Sequence, residues 1–231
     1  MSNNLPANDR VSALIGEFLD EVMPKKPPSA RGNLIFGLDA TASREETWDI
    51  AASLQGQMFH EAGSVGSLNV QLVYYRGAER IDGECKASQW ATNPAQLAAF
   101  MSNIKCRAGL TQIGRVLGHA LREASQRKIG ALVFVGDACE ESRDQLIPQA
   151  RLLAELNVPV FIFQEGYDPQ AGQTFREIAR ITKGAHLRFD QGSAKQLGEL
   201  LRAVAAFAVG GITGLEKQNS NAAKLLLGQI R

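Results

Sequence analysis

The side chains in this sequence able to do chemistry together fall in three short clusters. The first is Asp39-Ala40-Thr41-Ala42-Ser43, the second Gly109-Leu110-Thr111-Gln112-Ile113-Gly114, and the third Gly136-Asp137-Ala138-Cys139-Glu140-Glu141. They carry carboxylates and hydroxyls, with no histidine or cysteine at metal-ligand spacing. Oxygen-only donors suit a hard cation, Mg2+, Mn2+ or Ca2+, rather than zinc. Two carboxylates, on Asp39 and Asp137, and three neutral hydroxyls, on Thr41, Ser43 and Thr111, would leave such an ion electrophilic and open to a carboxylate from outside. Two of the hydroxyls also have a plain structural alternative: Ser43 is placed to cap a helix beginning near Arg44, and Thr111 one beginning at Gln112. Nowhere does a general base stand beside a nucleophile. No catalytic residue is therefore assigned, and binding is expected rather than turnover.

These clusters need a scaffold that brings them together, and the hydropathy pattern supplies one. Residues 33–38 form an apolar run ending at Asp39, and 130–135 a second run ending in Gly136-Asp137. Further strands are predicted over 68–75, 158–163 and 185–189, with a short edge strand after the turn that begins at Gly77. Helical spacing is predicted over 45–61, 94–104, 113–126, 144–156, 173–182 and 194–209. Apolar strands alternating with helices make an α/β fold, a doubly wound three-layer sandwich. Its sheet is expected to be six-stranded and mostly parallel, with one short antiparallel edge strand. In such sheets ligands bind beyond the carboxyl ends of the strands, where strand order reverses, and the three clusters land there.

The flanks differ from this core. Residues 1–30 read as an N-terminal helix followed by a Pro-rich linker. Val11, Leu14, Ile15, Phe18, Leu19 and Val22 make one apolar helical face, and Pro24, Pro27 and Pro28 follow. That helix either folds back on the main domain, 31–210, or docks on a partner. Residues 211–231 read as a tail in which 222–230 favour a short helix.

With 231 residues, 45% hydrophobic and 21% charged, the chain has the composition of a globular protein and not of a disordered one. A net charge of +1 offers no global attraction for nucleic acid or an anionic membrane. No uninterrupted apolar run approaches the roughly 18 residues of a membrane span, and the first ten residues lack a secretory pattern. Three cysteines, Cys85, Cys106 and Cys139, then fit three free thiols in a cytoplasmic setting. Cys106 and Cys139 fall in loops at the same end as the acids, where a redox-sensing pair is an alternative to accidental nearness. Glu140 and Glu141 are expected as exposed acids on the rim.

In order and spacing, Asp39-x-Thr41-x-Ser43, Thr111 within Gly109-x-Thr-x-x-Gly114, and Asp137 after a buried strand resemble the metal-ion-dependent adhesion site of von Willebrand factor A domains. The element order from about 32 to 209 is similar to that family too. Thr41 stands where the family usually has Ser, and its extra methyl crowds the position. The resemblance implies a metal site of Asp39, Thr41, Ser43, Thr111 and Asp137 holding Mg2+, or else Mn2+ or Ca2+. It also implies a protein partner that donates an Asp or Glu carboxylate, with no nucleic acid and no membrane involved. Intracellular bacterial-type members commonly serve as adaptors in multi-protein assemblies. A second resemblance is to haloacid-dehalogenase-type phosphatases. There Asp39 would be a nucleophile, Mg2+ would shield the phosphate, and Lys105 or Lys128 would supply the motif lysine.

Overall fold

The computed structural model describes residues 31–63, 66–77 and 82–230. The helix and linker read within 1–30 lie outside the described residues. The chain runs β1 (Arg31–Asp39), a single 3-10 turn (Ala42–Arg44), α1 (Glu45–Gly63), β2 (Ser67–Arg76), β3 (Glu84–Ala87), α2 (Pro94–Ser102) and α3 (Ile113–Ala124). It continues with β4 (Ala131–Gly136), α4 (Arg143–Glu155), β5 (Val160–Glu165), α5 (Pro169–Ile181), β6 (His186–Phe189), α6 (Ala194–Glu216) and α7 (Asn221–Ile230). The strands form one sheet in the order β3-β2-β1-β4-β5-β6. All neighbours are parallel except β3, which runs antiparallel to β2 at the edge.

The central strands are apolar on both faces because both faces are covered. Leu34, Phe36 and Leu38 of β1 join one core with Trp48, Ala51 and Met58 of α1 and Leu197, Leu201 and Val204 of α6. Ile35 points the other way, into a second core with Val116 of α3, Leu146 of α4 and Phe175 of α5. Gly37 lies on that second face. A Cβ there would come within 2.9 Å of Val116 Cγ1, so glycine lets α3 ride close to the central strand. Alternation along β1 sends Asp39 to the same face as Ile35.

Helix starts follow their caps. Asn93 accepts from the Gln96 amide ahead of Pro94, as that dipeptide implies. Asp168 accepts from the amides of Gln170 and Ala171 and starts α5 at Pro169, four residues before the expected start at 173. The apolar period alone missed that first turn, because Gln170 and Gln173 interrupt it. α6 passes beyond Val209, but Gly211 at φ 61° breaks it into two helical pieces. By composition α6 is long and apolar enough to cross a membrane, yet more than half of that stretch is packed inside the fold. Past the break the chain folds back, and Ala222, Ala223 and Leu226 of α7 bury into the α1–α6 core. Gln229 then exchanges two 2.9 Å hydrogen bonds with the backbone of His186 on β6.

Candidate metal centre

Strand order reverses between β1 and β4, since β1 leads on to β2 on one side while β4 flanks it on the other. Asp39 ends β1 and Asp137 follows β4, so the two acids meet at this switch point. Asp39 keeps 1% of its surface exposed. Its Oδ1 accepts from the Thr41 amide at 2.7 Å, which folds the chain back into the 3-10 turn. Burial raises the Asp39 pKa above the ordinary carboxylate value, the bonds from Thr41 and the nearby Tyr75 hydroxyl dipole oppose this, and the charge of Asp137 adds to the rise.

The Thr41 and Ser43 hydroxyls lie 3.3 Å apart. Neither residue caps a helix amide: the cap of the 3-10 turn, Thr41, makes no side-chain cap bond. Gln112, the cap of α3, makes none either. The amides at the start of α3 are satisfied from another loop. Glu141 accepts from Ile113 at 2.5 Å and from Gly114 at 2.8 Å. Glu140 and Thr111 clasp each other: the Thr111 amide donates to Glu140 Oε2 at 3.0 Å, and the Glu140 amide donates to Thr111 Oγ1 at 3.1 Å. Glu140 is exposed and Glu141 half-buried, but both work as tethers that tie the Thr111 loop to the Asp137 loop.

The Thr111 loop is also pinned to the sheet. Gln112 donates to the carbonyls of Arg76 and Gly77, the Arg107 amide donates to Ala40, and Arg76 reaches the Lys105 carbonyl. A Cβ on Gly109 would lie 2.3 Å from the Gly77 carbonyl oxygen, so the loop depends on glycine for its approach. All five candidate ligands are thus at one end of the sheet, on three loops. Asp39, Thr41 and Thr111 are buried, Asp137 half-buried and Ser43 exposed.

Beside them opens a polar cleft of about 320 Å3, lined by Ser43, Asp137, Glu165, Tyr167, Asp168 and Gln191 among others. Glu165 is buried and held by the Thr47 hydroxyl and by the Gly192 amide at 2.8 Å. Tyr167 is 73% exposed at the rim, with the Arg188 guanidinium 4.7 Å from its ring centre. The sequence reading missed Glu165 and Tyr167. The signal was present: a third apolar strand, read as ending at Phe163, runs on to an acid just as β1 and β4 do.

Among the described residues no three His, Cys, Asp or Glu side chains gather as metal ligands. Any ion held here would therefore lean on hydroxyls. The donor set fits a small hard cation. Two Oγ atoms 3.3 Å apart approach the roughly 3 Å that separates adjacent ligands at ~2.1 Å from an octahedral ion. The burial of Asp39 and the repulsion from Asp137 are what such an ion would offset.

The cysteines do not form a redox pair by character. Cys106 packs against the α1–α6 core and Cys139 against the core on the opposite face. Burial pushes the Cys139 thiol up to about 11. The phosphatase reading finds no footing. Lys128, one of the two lysines it could use, lies at the opposite end of the sheet, where its carbonyl bonds Asn33.

No family model and no curated protein sequence matches this chain. Solved structures do. A von Willebrand factor type A protein from Catenulispora acidiphila superposes with TM-score 0.59 at 14% identity over 78% of this chain, which spans 43% of that protein's length. The conserved hypothetical protein BatB from Bacteroides thetaiotaomicron gives 0.55 at 17% identity, covering 76% of this chain and 98% of its own. The SpRpn10 VWA domain gives 0.56 at 10% identity, covering 73% and 94%. At these identities the likeness speaks for the fold. Sheet order, the antiparallel edge strand and these superpositions show that the chain has the von Willebrand factor A fold.

Proposed function

We propose that this protein is a divalent-metal-dependent protein-binding module that works by association and not by turnover. The observation that carries the reading is the gathering of Asp39, Thr41, Ser43, Thr111 and Asp137 at the strand-order switch, with hydroxyls that cap no helix. Asp39, Asp137 and the three hydroxyls would hold Mg2+, or Mn2+ or Ca2+ in its place. The bound ion would supply an electrophilic point for a partner's Asp or Glu carboxylate. The protein's own part is to fix the donors: Glu140 and Glu141 lock the loops together, and Gln112 ties them to β2. The fold is one often used in protein–protein interaction, and one superposed structure is the pilus adhesin SpaC from Lactobacillus rhamnosus GG. A cytoplasmic adaptor within a multi-protein assembly is the setting proposed, without nucleic acid or membrane.

The test is thermal unfolding of wild type and Asp39→Ala, each in Mg2+ and in EDTA. An ion bound at ~1 mM adds roughly 1.4 kcal/mol at 10 mM, a shift of about 3–5 °C for a domain of this size. The shift should vanish in Asp39→Ala, whose cost in EDTA is the Thr41 amide left without its acceptor, offset in part by removal of a buried charge. Equal destabilisation of the variant in both conditions would make Asp39 a structural residue and sink the metal reading.

A further inference from the structure

At the end of the sheet opposite Asp39, an apolar groove of about 220 Å3 opens between α4 and α6, lined by Ala154, Pro159, Phe207, Ile212 and Ile230 with Lys183 at its edge. Ile212 is 44% exposed there, and Leu156, next to a lining residue, is 44% exposed as well. A second cleft adjoins it through Lys183 and Ile230 and is bordered by Arg176 and Arg180. None of Arg176, Arg180 and Lys183 forms an ion pair with a described residue.

We propose that this groove is the docking site for the chain's own N-terminal segment, residues 9–22, bound as an amphipathic helix. The first argument is where the described chain begins. A Cβ on Gly32 would come within 2.6 Å of the Ala208 carbonyl oxygen and 2.8 Å of Val209 Cα. The chain therefore enters β1 against the stretch of α6 that lies between the groove residues Phe207 and Ile212. Residues 23–30 bridge up to ~26 Å when extended, while Phe207 adjoins Ala208 at that entry point and Ile212, three residues past Val209 across the break at Gly211, lies at most ~11 Å farther. The tether is thus long enough to return a helix of 14 residues, about 21 Å, onto the groove.

The second argument is charge. On a helix, Val11, Leu14, Ile15, Phe18, Leu19 and Val22 share one face. Glu17 and Glu21, four residues apart, border that face on one side, where Arg10 lies two turns earlier, whereas Ser12 and Gly16 border the other, so the last two turns of that side are acidic. The groove is likewise one-sided, with its cations on the β6 side. Of the two directions in which the apolar face can sit on Phe207, Ile212 and Ile230, the charges select the one that turns Glu17 and Glu21 toward Lys183 and Arg180.

The experiment uses the full chain. Phe18→Cys is combined with Ile212→Cys, with each single variant as control for the native thiols, and oxidised products are mapped by mass spectrometry. A disulfide within one chain is expected. The same pair formed between two chains would assign the groove to a second copy and overturn the proposal. Independently, limited proteolysis within residues 9–22 is compared between wild type, Ile212→Glu and the Glu17→Lys/Glu21→Lys pair. Both variants should be cut about tenfold faster, because cleavage follows the population of the undocked segment. This protection decides the matter where the cross-link misses the helix register. Equal cleavage in all three proteins would show the segment undocked, and the proposal would fall.

Discussion

Asp39 and Tyr75 stand opposite each other at the carboxyl ends of β1 and β2, in register across the parallel pair. Tyr75 is fully buried, stacks on Phe134 with ring centres 6.3 Å apart, and its hydroxyl has no partner in hydrogen-bond geometry. Burial and the nearby Asp39 carboxylate keep that hydroxyl protonated well above its usual range. A buried hydroxyl without a partner costs stability. Tyr75→Phe should therefore leave the unfolding free energy in EDTA unchanged or raise it by up to about 1 kcal/mol. A loss larger than that in calorimetry would mean the hydroxyl holds Asp39 in the free protein.

Glu141 should matter for stability regardless of metal. It accepts two amides at the positive end of α3, where a carboxylate also favours the helix dipole. Glu141→Ala is expected to cost about 1–2 kcal/mol in urea unfolding, equally in Mg2+ and EDTA, with Glu141→Gln in between. A cost confined to Mg2+ would instead place Glu141 among the ion's own ligands.

His186 gives the stability a pH dependence with a definite sign. Burial, with help from Arg176 and Arg188, lowers its pKa from 6.5 to about 4, so the folded state keeps the imidazole neutral. Its Nε2 pairs with Gln164 Oε1 at 3.0 Å. The unfolded chain binds the proton first, so this contribution is complete above pH 6.5 and drains away as pH falls toward 4. Its loss amounts to something on the order of 2 kcal/mol after allowance for solvent screening. His186→Asn should show a flatter stability profile across that window. A variant that falls as steeply as wild type would assign the acid sensitivity to other groups.

Cys139 should be a slow thiol. With its pKa near 11, alkylation by iodoacetamide at pH 8 should run about a hundredfold slower in the folded chain than in urea. Comparable rates would reopen a redox role.

The pattern of residue types carried much of the fold and the outline of the site. Apolar runs that stop at Asp39 and Asp137 mark strands buried on both faces and the acids at their ends, which is a local property of the chain. What holds those acids in place was not legible. Glu140 and Glu141 act on amides 27 to 29 residues back along the chain. In sequence they look like any pair of surface acids, because their partners are backbone groups on another loop. Glu165 was lost when β5 was read as stopping at Phe163, since the hydropathy of Gln164-Glu165 falls although both are buried. Gln229 had no local signal at all, being a polar residue on an ordinary helix whose partner lies 43 positions earlier.

That Gln229 contact has a further consequence. β6 is the last strand on its side of the sheet, and its outer backbone groups are a template on which another chain could pair. The Gln229 amide donates to and accepts from His186 as a neighbouring strand's peptide would. One side chain thus acts as a plug against sheet growth. Chains carrying Gln229→Ala should show their defect as concentration-dependent self-association on storage more than as a lower melting point.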